Sequence, residues 1–158
     1  MTGSSFRSPV SAEIADRLAA ELQPLVLDLI DLSLQLKHAH WNLRGAVFVP
    51  LHEQLDGLHE SVLGAADALA ERQVMIGHAV DGLARSFTER SRLNPLPVRF
   101  LPSQEVIEDI SNRLARVIEL LRHGIEITGA LDPITQDLLI GTTAGLEKHL
   151  WMLQAQQL

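Results

Sequence analysis

Residues 49–77 read VPLHEQLDGLHESVLGAADALAERQVMIG, and this stretch carries the main fold signal and the main functional signal of the chain. We predict one long helix from about Val49–Pro50 through Met75, because proline is tolerated in a first helical turn. Gly77 closes the helix, since glycine is favoured just past a helix C-terminus. The polar residues of this helix point to the chemistry.

The helix carries two pairs of metal-ligand side chains at four-residue spacing, His52 with Asp56 and Asp67 with Glu71. Residues four apart lie on one face of a helix, so each pair could bind one metal ion. Asp56 and Asp67 lie on nearly the same face, but about 16 Å apart along the axis. One chain therefore cannot close a single site with both pairs.

A two-fold axis would bring the two pairs together. The midpoint of positions 52 and 71 is 61.5, and the midpoint of positions 56 and 67 is also 61.5. Two antiparallel copies related by a two-fold near Ser61–Val62 would place His52 near the second copy's Glu71. They would also place Asp56 near the second copy's Asp67, and both contacts would occur twice. The residues around that point are small enough for close helix approach: Gly57, Ser61, Gly64, Ala65 and Ala66.

Structural interpretations of the same residues stay open. A His–Asp pair at this spacing is more often a surface hydrogen bond than a set of metal ligands. Asp67 and Glu71 fit that interpretation less well, because like charges four residues apart repel and alanines surround them. These carboxylates need a counter-ion, and a metal and Arg72 are the two candidates. His40, at the end of the first helix, adds an imidazole to a donor set suited to iron, manganese or zinc.

The rest of the chain predicts an all-α protein, a four-helix bundle in one domain over residues 1–158, with residues 1–10 as a flexible tail. The other three helices run from Pro9 or Ser11 to about His40, from Ser103 as N-cap to about Thr128–Gly129, and from Asp132–Pro133 to the C-terminus. Residues 77–102 form a long crossover, in which residues 80–87 could form one or two helical turns. No Glu-x-x-His motif occurs, which argues against the ordinary di-iron site within one such bundle.

Composition limits the classes of function. Leu and Ala carry most of the apolar content in a chain of 158 residues that is 46% hydrophobic and 4% aromatic, as in packed helices. The net charge of −7 is compatible with attracting cations and unfavourable for a surface that tracks phosphate. The absence of Cys excludes disulfides, thiolate nucleophiles and cysteine-ligated metal sites. No signal peptide or membrane segment is visible, so we expect a cytoplasmic protein with no membrane partner.

Several motifs together resemble the Dps family, the starvation-induced mini-ferritins of the ferritin-like superfamily. They are KHAHWNLRG at 37–45, LHEQLD at 51–56, DALAER at 67–72, DPITQDLL at 132–139 and EKHLW at 147–151. The resemblance covers about residues 12–155, and the spacing of 12, 4, 11 and 4 between ligand positions is matched in full.

The resemblance implies a ferritin-like bundle, with a short helix in its crossover, that assembles into a homo-oligomeric shell of twelve subunits. It implies a ferroxidase site shared across a dimer interface, with His40, His52 and Asp56 from one subunit and Asp67 and Glu71 from its partner. Two metals would occupy each site. The implied activity is oxidation of Fe(II), with hydrogen peroxide preferred and oxygen as the alternative oxidant, followed by storage of ferric mineral. That chemistry protects against oxidative damage.

Three further residues lie close to these positions. Trp41, beside His40, could scavenge oxidising equivalents or pack at an interface. Glu53 could face the cavity as a mineral nucleation site, or it could be solvated. His78 stands where the family usually has a small residue, and it would share the face of Glu71 if the second helix persisted. As an extra ligand it would favour zinc, which gives a zinc-holding, slow ferroxidase as one alternative; a solvated loop residue is the other interpretation.

Asp132 and Asp137 match acidic positions that line the iron-entry pore of the resembled family, although Asp132 also suits a helix N-cap. Gly141 stands where a further pore carboxylate is often found. DNA binding is the family's second activity, and we expect it to be weak or absent. The N-terminal tail has Arg7 but no lysine, and the net charge repels phosphate. A DNA-compacting structural protein with vestigial metal sites is the rival from a different class.

Overall fold

A computed structural model describes residues 7–157, within which the chain forms an all-α bundle. The helices are α1 (Ala12–Asn42), α2 (Phe48–Met75), α3 (Ala84–Arg90), α4 (Ser103–Gly129) and α5 (Pro133–Gln154). The predicted four long helices, and the short helix within the crossover, are confirmed. None of the helices in the described range is long and apolar enough to cross a membrane.

Leucines at helical spacing on the inner faces of the long helices form the core. On α1, Leu18, Leu22, Leu29 and Leu36 are fully buried, and they face a matching set on α2 that consists of Leu51, Leu55, Leu58 and Leu69. On α4, Ile110, Leu114, Val117 and Leu121 continue the same core. Each such side chain contributes roughly 2 kcal/mol through the apolar surface that it removes from water. This packing, rather than helix propensity, fixes the position of α1 against α2.

Side-chain caps define two of the helix starts. The Ser11 hydroxyl accepts a hydrogen bond from the Ile14 amide, and the Asp132 carboxylate accepts one from the Thr135 amide, with Pro133 as the first helical residue. Both starts agree with the prediction. The prediction that Ser103 is the N-cap of α4 is wrong. Pro102 holds that position in an extended conformation, and no side chain caps this helix.

The shift at Ser103 has a local cause. Residues Leu101–Pro102 form a short strand, β2, which pairs in parallel with β1, Leu43–Arg44, at the end of α1. Gly45 follows β1 with φ +133°, and a Cβ atom on it would lie 2.4 Å from the Ser103 hydroxyl oxygen. The strand pair therefore draws the start of α4 against the turn after α1, and no local pattern in the sequence indicates this contact.

The crossover is fastened to α1 and α4 along its length. Asp28, fully buried in α1, accepts hydrogen bonds from the Arg92 backbone amide and guanidinium at 2.5–2.8 Å. Further along, the Arg113 guanidinium of α4 donates to the carbonyl oxygens of Asn94 and Pro95.

The short crossover helix lies later than predicted, at residues 84–90 instead of 80–87. Residues 79–81 cannot join it, because their backbone groups bond to side chains of the bundle. The Gln73 amide donates to the Ala79 carbonyl at 2.8 Å, and Gln23 exchanges two hydrogen bonds with the Asp81 backbone at 2.9 Å. Because these side chains bind the backbone of residues 79–81, the helix begins only at Ala84.

Candidate metal centre

Two histidines bind each other's backbone where α1 ends beside the start of α2. The Nδ1 atom of His40 lies 3.0 Å from the carbonyl oxygen of His52, and the Nδ1 atom of His52 lies 3.1 Å from the carbonyl oxygen of His40. The two rings stack with their centroids 3.5 Å apart, and Phe48 stacks on the outer side of His52 at 5.0 Å. Because His40 lies near the C-terminus of α1, its carbonyl has no partner within the helix, and His52 supplies one.

This reciprocal bonding fixes which ring nitrogen can bind a metal. A carbonyl oxygen only accepts hydrogen bonds, so each Nδ1 must carry the hydrogen. In the neutral ring the Nε2 atom then presents its lone pair. Metal-ligating histidines almost always donate their other ring N–H to a carbonyl or carboxylate in this way. The pair therefore has the donor chemistry of two preorganised imidazole ligands.

Asp56 brings a carboxylate to the same place, one turn after His52. Its Oδ1 atom lies 3.2 Å from Nδ1 of His40 and 2.7 Å from Nζ of Lys37. The hydrogen bond from Lys37 is the largest cause that lowers the pKa of Asp56, and the nearby histidines add to it. The carboxylate is half-exposed and ionised at neutral pH. Imidazole and carboxylate are donor types that fit iron or zinc, but these three side chains do not by themselves surround a metal position.

Lys37 is the residue at this site to which we assign no role from sequence. It stands in the KHAHWNLRG motif, one helical turn before His40. The three-residue spacing between Lys37 and His40 could have indicated this role, because residues three apart share a helix face. Its contact with Asp56 depends on how α1 packs on α2, which the motif alone does not give.

Asp67 and Glu71 are exposed on α2. Asp67, the nearer of the two, lies about 16 Å along the helix axis from Asp56. Asp67 lies at an apolar groove of about 600 Å³ that is lined by side chains of α1, α2 and the crossover, including Ile30, Leu63 and Val80. Glu71 lines a neighbouring groove with Val74 and Met75. Among residues 7–157, no three His, Asp or Glu side chains of one chain come together to hold a metal ion.

Arg72 is not the counter-ion of these carboxylates, contrary to one of the alternatives above. Its guanidinium donates to Asp132 at 2.6 Å and to the Thr135 hydroxyl at 3.0 Å; Asp132 is buried, and the Arg72 side chain is 11% exposed. Burial acts to raise the pKa of Asp132, but hydrogen bonds from Thr135 and Arg72 outweigh it, so that this pKa lies below its ordinary value. The Asp132 oxygen Oδ2 accepts all of these bonds, including two from Thr135.

His78 lies in the loop after α2, which ends at Met75. Gly77 turns the chain with φ +98°, and Nε2 of His78 lies 3.0 Å from Oδ1 of Asp16 on α1. The helical register that would carry His78 along the face of Glu71 therefore stops before it. Its assignment as a ligand stays a prediction.

The remaining predicted residues lie on the surface. Glu53 and Asp137 are exposed. Trp41 is 69% exposed next to the histidine pair, with Nζ of Lys37 at 5.9 Å from its ring centroid. The roles predicted for these residues depend on a neighbouring subunit, so they stay predictions here.

Comparison with known proteins agrees with this architecture. Residues 19–157 match the family model described as "Ferritin-like domain". The chain is similar to Dps from Microbacterium arborescens, solved in the high iron form, with a TM-score of 0.90 and 30% identity over 94% of this chain and 97% of that one. The fold is that of a ferritin-like protein.

Sequence relatives identify the family within the ferritin-like proteins. The chain is 34% identical to the DNA protection during starvation protein of Mycolicibacterium smegmatis over 96% of this chain and 83% of the relative. It is also 36% identical to a protein of Haemophilus ducreyi named fine tangled pili major subunit, over 87% of this chain and 73% of that relative. With its fold and its Dps-named relatives, the chain belongs to the Dps family of ferritin-like proteins.

Proposed function

We propose that this protein is a ferroxidase and iron-storage shell that detoxifies Fe(II) at sites formed between two subunits. The observation that carries the proposal is the pair His40 and His52, which bond each other's backbone through Nδ1 and so leave Nε2 to bind a metal, with the Asp56 carboxylate 3.2 Å from Nδ1 of His40. The match to a Dps structure solved in a high iron form supports iron as the substrate.

The second half of each site would come from a second copy of the chain. Asp67 and Glu71 are exposed, and they border apolar grooves that another subunit could cover. The coincident midpoints of positions 52 and 71 and of positions 56 and 67 support a two-fold axis across α2. Arg72 pairs with Asp132 and so does not compete with a metal for these two carboxylates.

The chemistry is a two-electron oxidation that avoids radicals. Two Fe(II) ions each give one electron to one hydrogen peroxide molecule, which takes up two protons and leaves as two waters. The carboxylates favour the higher charge of Fe(III), while the histidines keep the ions in place. Oxygen is the second oxidant that we propose. The twelve-subunit shell and the cytoplasmic location stay predictions.

We propose other residues for the entry of iron and for the growth of the mineral. Asp137 is exposed on α5, where its carboxylate can attract cations, so we propose it as the principal pore carboxylate. Asp132 would contribute less, because its Oδ2 already accepts hydrogen bonds from Arg72 and Thr135. Glu53, exposed one residue after His52, is the proposed nucleation site.

The test is a complementation experiment between two inactive variants. Metal-free protein is mixed with Fe(II) under nitrogen, hydrogen peroxide or oxygen is added, and ferric absorbance is followed. His52→Ala and Asp67→Ala should each lose fast oxidation. When the two variants are co-assembled, each mixed dimer regains one intact site of two, so random mixing should restore about a quarter of the wild-type sites.

The outcomes separate the alternatives. Restored oxidation in the mixed assembly supports a site shared between subunits, whereas no restoration would contradict it. Wild-type oxidation no faster than buffer, together with tight zinc binding, would overturn the ferroxidase and favour the zinc-holding shell. In that event a His78→Ala variant shows whether His78 contributes to zinc binding.

A further inference from the structure

Lys37 places a fixed positive charge on the carboxylate of the proposed metal site. It is one of two lysines in the chain, with Lys148 as the other. Its Nζ atom lies 2.7 Å from Oδ1 of Asp56, and three-quarters of its side chain is buried. An internal cation thus occupies the oxygen that faces His40 before any metal arrives.

We propose that Lys37 is an exchangeable counter-ion of Asp56, which leaves the carboxylate when a metal binds and thereby sets the metal affinity of the site. This inference rests on the proposed function, because it takes Asp56 to be a ligand. The ammonium holds the empty carboxylate beside the histidines, so Lys37 is a positioning residue that also competes with the metal.

Charge and distance require the exchange. A carboxylate oxygen binds Zn(II) at about 2.0–2.2 Å, and Nζ at hydrogen-bond distance from the same oxygen would then lie close to a divalent cation. Two cations cannot share this oxygen without strong repulsion. Lysine suits the role, because its flexible stem carries a compact charge that can swing away, whereas arginine would clamp the carboxylate with a planar fork.

The displaced ammonium has a neighbouring acceptor in Trp41. Its Nζ already lies 5.9 Å from the centroid of the Trp41 ring, at the outer limit of a cation–π contact. A small rotation of the lysine stem would replace the lost carboxylate contact with the ring face. The exchange therefore needs no movement of α1 or α2.

The first test is a metal titration of the assembled, metal-free protein with Co(II), whose visible absorbance reports coordination without redox chemistry. Lys37→Met should bind Co(II) about fivefold to tenfold more tightly than wild type, since the competing ion pair is gone. Lys37→Arg should bind no more tightly than wild type, because it keeps the charge. Lys148→Met is the matched control and should not differ, and Asp56→Asn identifies the signal of this site.

The second test uses wild-type protein, which makes it independent of any folding defect in the variants. Acetic anhydride labelling followed by mass spectrometry compares Lys37 with Lys148 as Zn(II) is added. Labelling of Lys37 should rise at the Zn(II) concentrations that fill the site, while labelling of Lys148 stays constant.

The results distinguish a failure of the proposed function from a failure of the lysine exchange alone. No metal binding by wild type, or undiminished binding by Asp56→Asn, would overturn the proposed function and this inference together. Asp56-dependent binding that Lys37→Met leaves unchanged or weakens would overturn the exchange alone, as would Lys37 labelling that does not respond to Zn(II). A purely structural lysine predicts the last two results.

Discussion

His40 and His52 each donate a ring N–H to the other's backbone carbonyl, at 3.0 and 3.1 Å, so that each proposed ligand orients its neighbour. Hydrogen bonds that orient a metal-binding histidine usually come from other residues that do not bind the metal. Here the two histidines perform that task for each other, and they join the last turn of α1 to the first turns of α2. Site geometry and helix packing are therefore coupled.

Replacing His52 with Phe tests this coupling. Phenylalanine keeps a ring against Phe48 but leaves the His40 carbonyl without a donor, so metal-free protein should lose about 1 kcal/mol of unfolding free energy in urea titrations. The variant should also lose the stabilisation that saturating Zn(II) gives to wild type, about 2.7 kcal/mol at one hundred times the dissociation constant. His123→Phe, at an exposed position on α4, is the control. Equal Zn(II) stabilisation in the His52 variant would contradict the ligand assignment.

The buried Arg72–Asp132 pair should contribute more to stability than any surface pair. Arg72→Met leaves the Asp132 charge with only Thr135 as partner, and we expect a loss of about 3 kcal/mol by urea unfolding. Arg116→Met breaks the exposed Arg116–Glu119 pair, and it should cost less than about 1 kcal/mol. If Arg72→Met lost as little unfolding free energy as Arg116→Met, the buried network would not be structurally important.

Stability should fall in mild acid because of His149. Burial, and to a lesser extent the charge of Lys148, lowers the pKa of this imidazole, which lies 3.0 Å from the Ser61 hydroxyl. An unfolded histidine titrates near 6.5, so between the two pKa values the unfolded chain binds more protons. Stability therefore rises with pH in that window and is lost as pH falls below about 6.5.

The measurement is the thermal midpoint of wild type and His149→Gln between about pH 5 and pH 8. Glutamine keeps a polar partner for Ser61 without a titrating ring, so the variant should have a flatter profile in this range. His123→Gln is the matched control and should follow wild type. Parallel profiles of His149→Gln and wild type would refute the assignment.

DNA binding should be absent or weak, because most arginines of the crossover are already paired. Arg90 binds Asp81, Arg92 binds Asp28, and Arg99 binds Glu105. A gel-shift titration with linear duplex DNA at low salt should give no salt-sensitive complex. A variant with lysines added at the N-terminus should bind, with affinity that falls steeply as salt increases. Tight, salt-sensitive binding by wild type would favour the DNA-compacting alternative.

Local patterns were sufficient to predict the four long helices, because caps such as Asp132–Pro133 and apolar spacing act within a few residues. The start of α4 was missed for the opposite reason. The β1–β2 pair joins Leu43 to Leu101, and two-residue strands leave no periodicity in a sequence. In the crossover, hydrogen bonds from Gln23 and Gln73 decide where α3 begins, and these depend on the tertiary packing.

The candidate metal site was predictable only in part. The spacing of His52 and Asp56 on one helix, with His40 at the end of the helix before it, indicated three residues that the structure places beside each other, and their role as ligands stays a prediction. The contacts of Lys37 and Arg72 were not predictable, since each joins two helices whose packing the sequence pattern does not specify. The positions of Asp67 and Glu71 relative to the histidines depend on a second subunit.

Because the crossover is anchored to the bundle on both sides of the exposed turn at Val98, the backbone can be cleaved there without separating the two parts of the protein. Val98 is 92% exposed, whereas Arg92 is anchored to Asp28 before it and Leu101 is paired to β1 after it. A protease that cuts there would leave two helical hairpins that still share one core. The nicked protein would migrate as a whole on a native gel and as two fragments only after denaturation. The same turn therefore suits the new chain ends of a circular permutant.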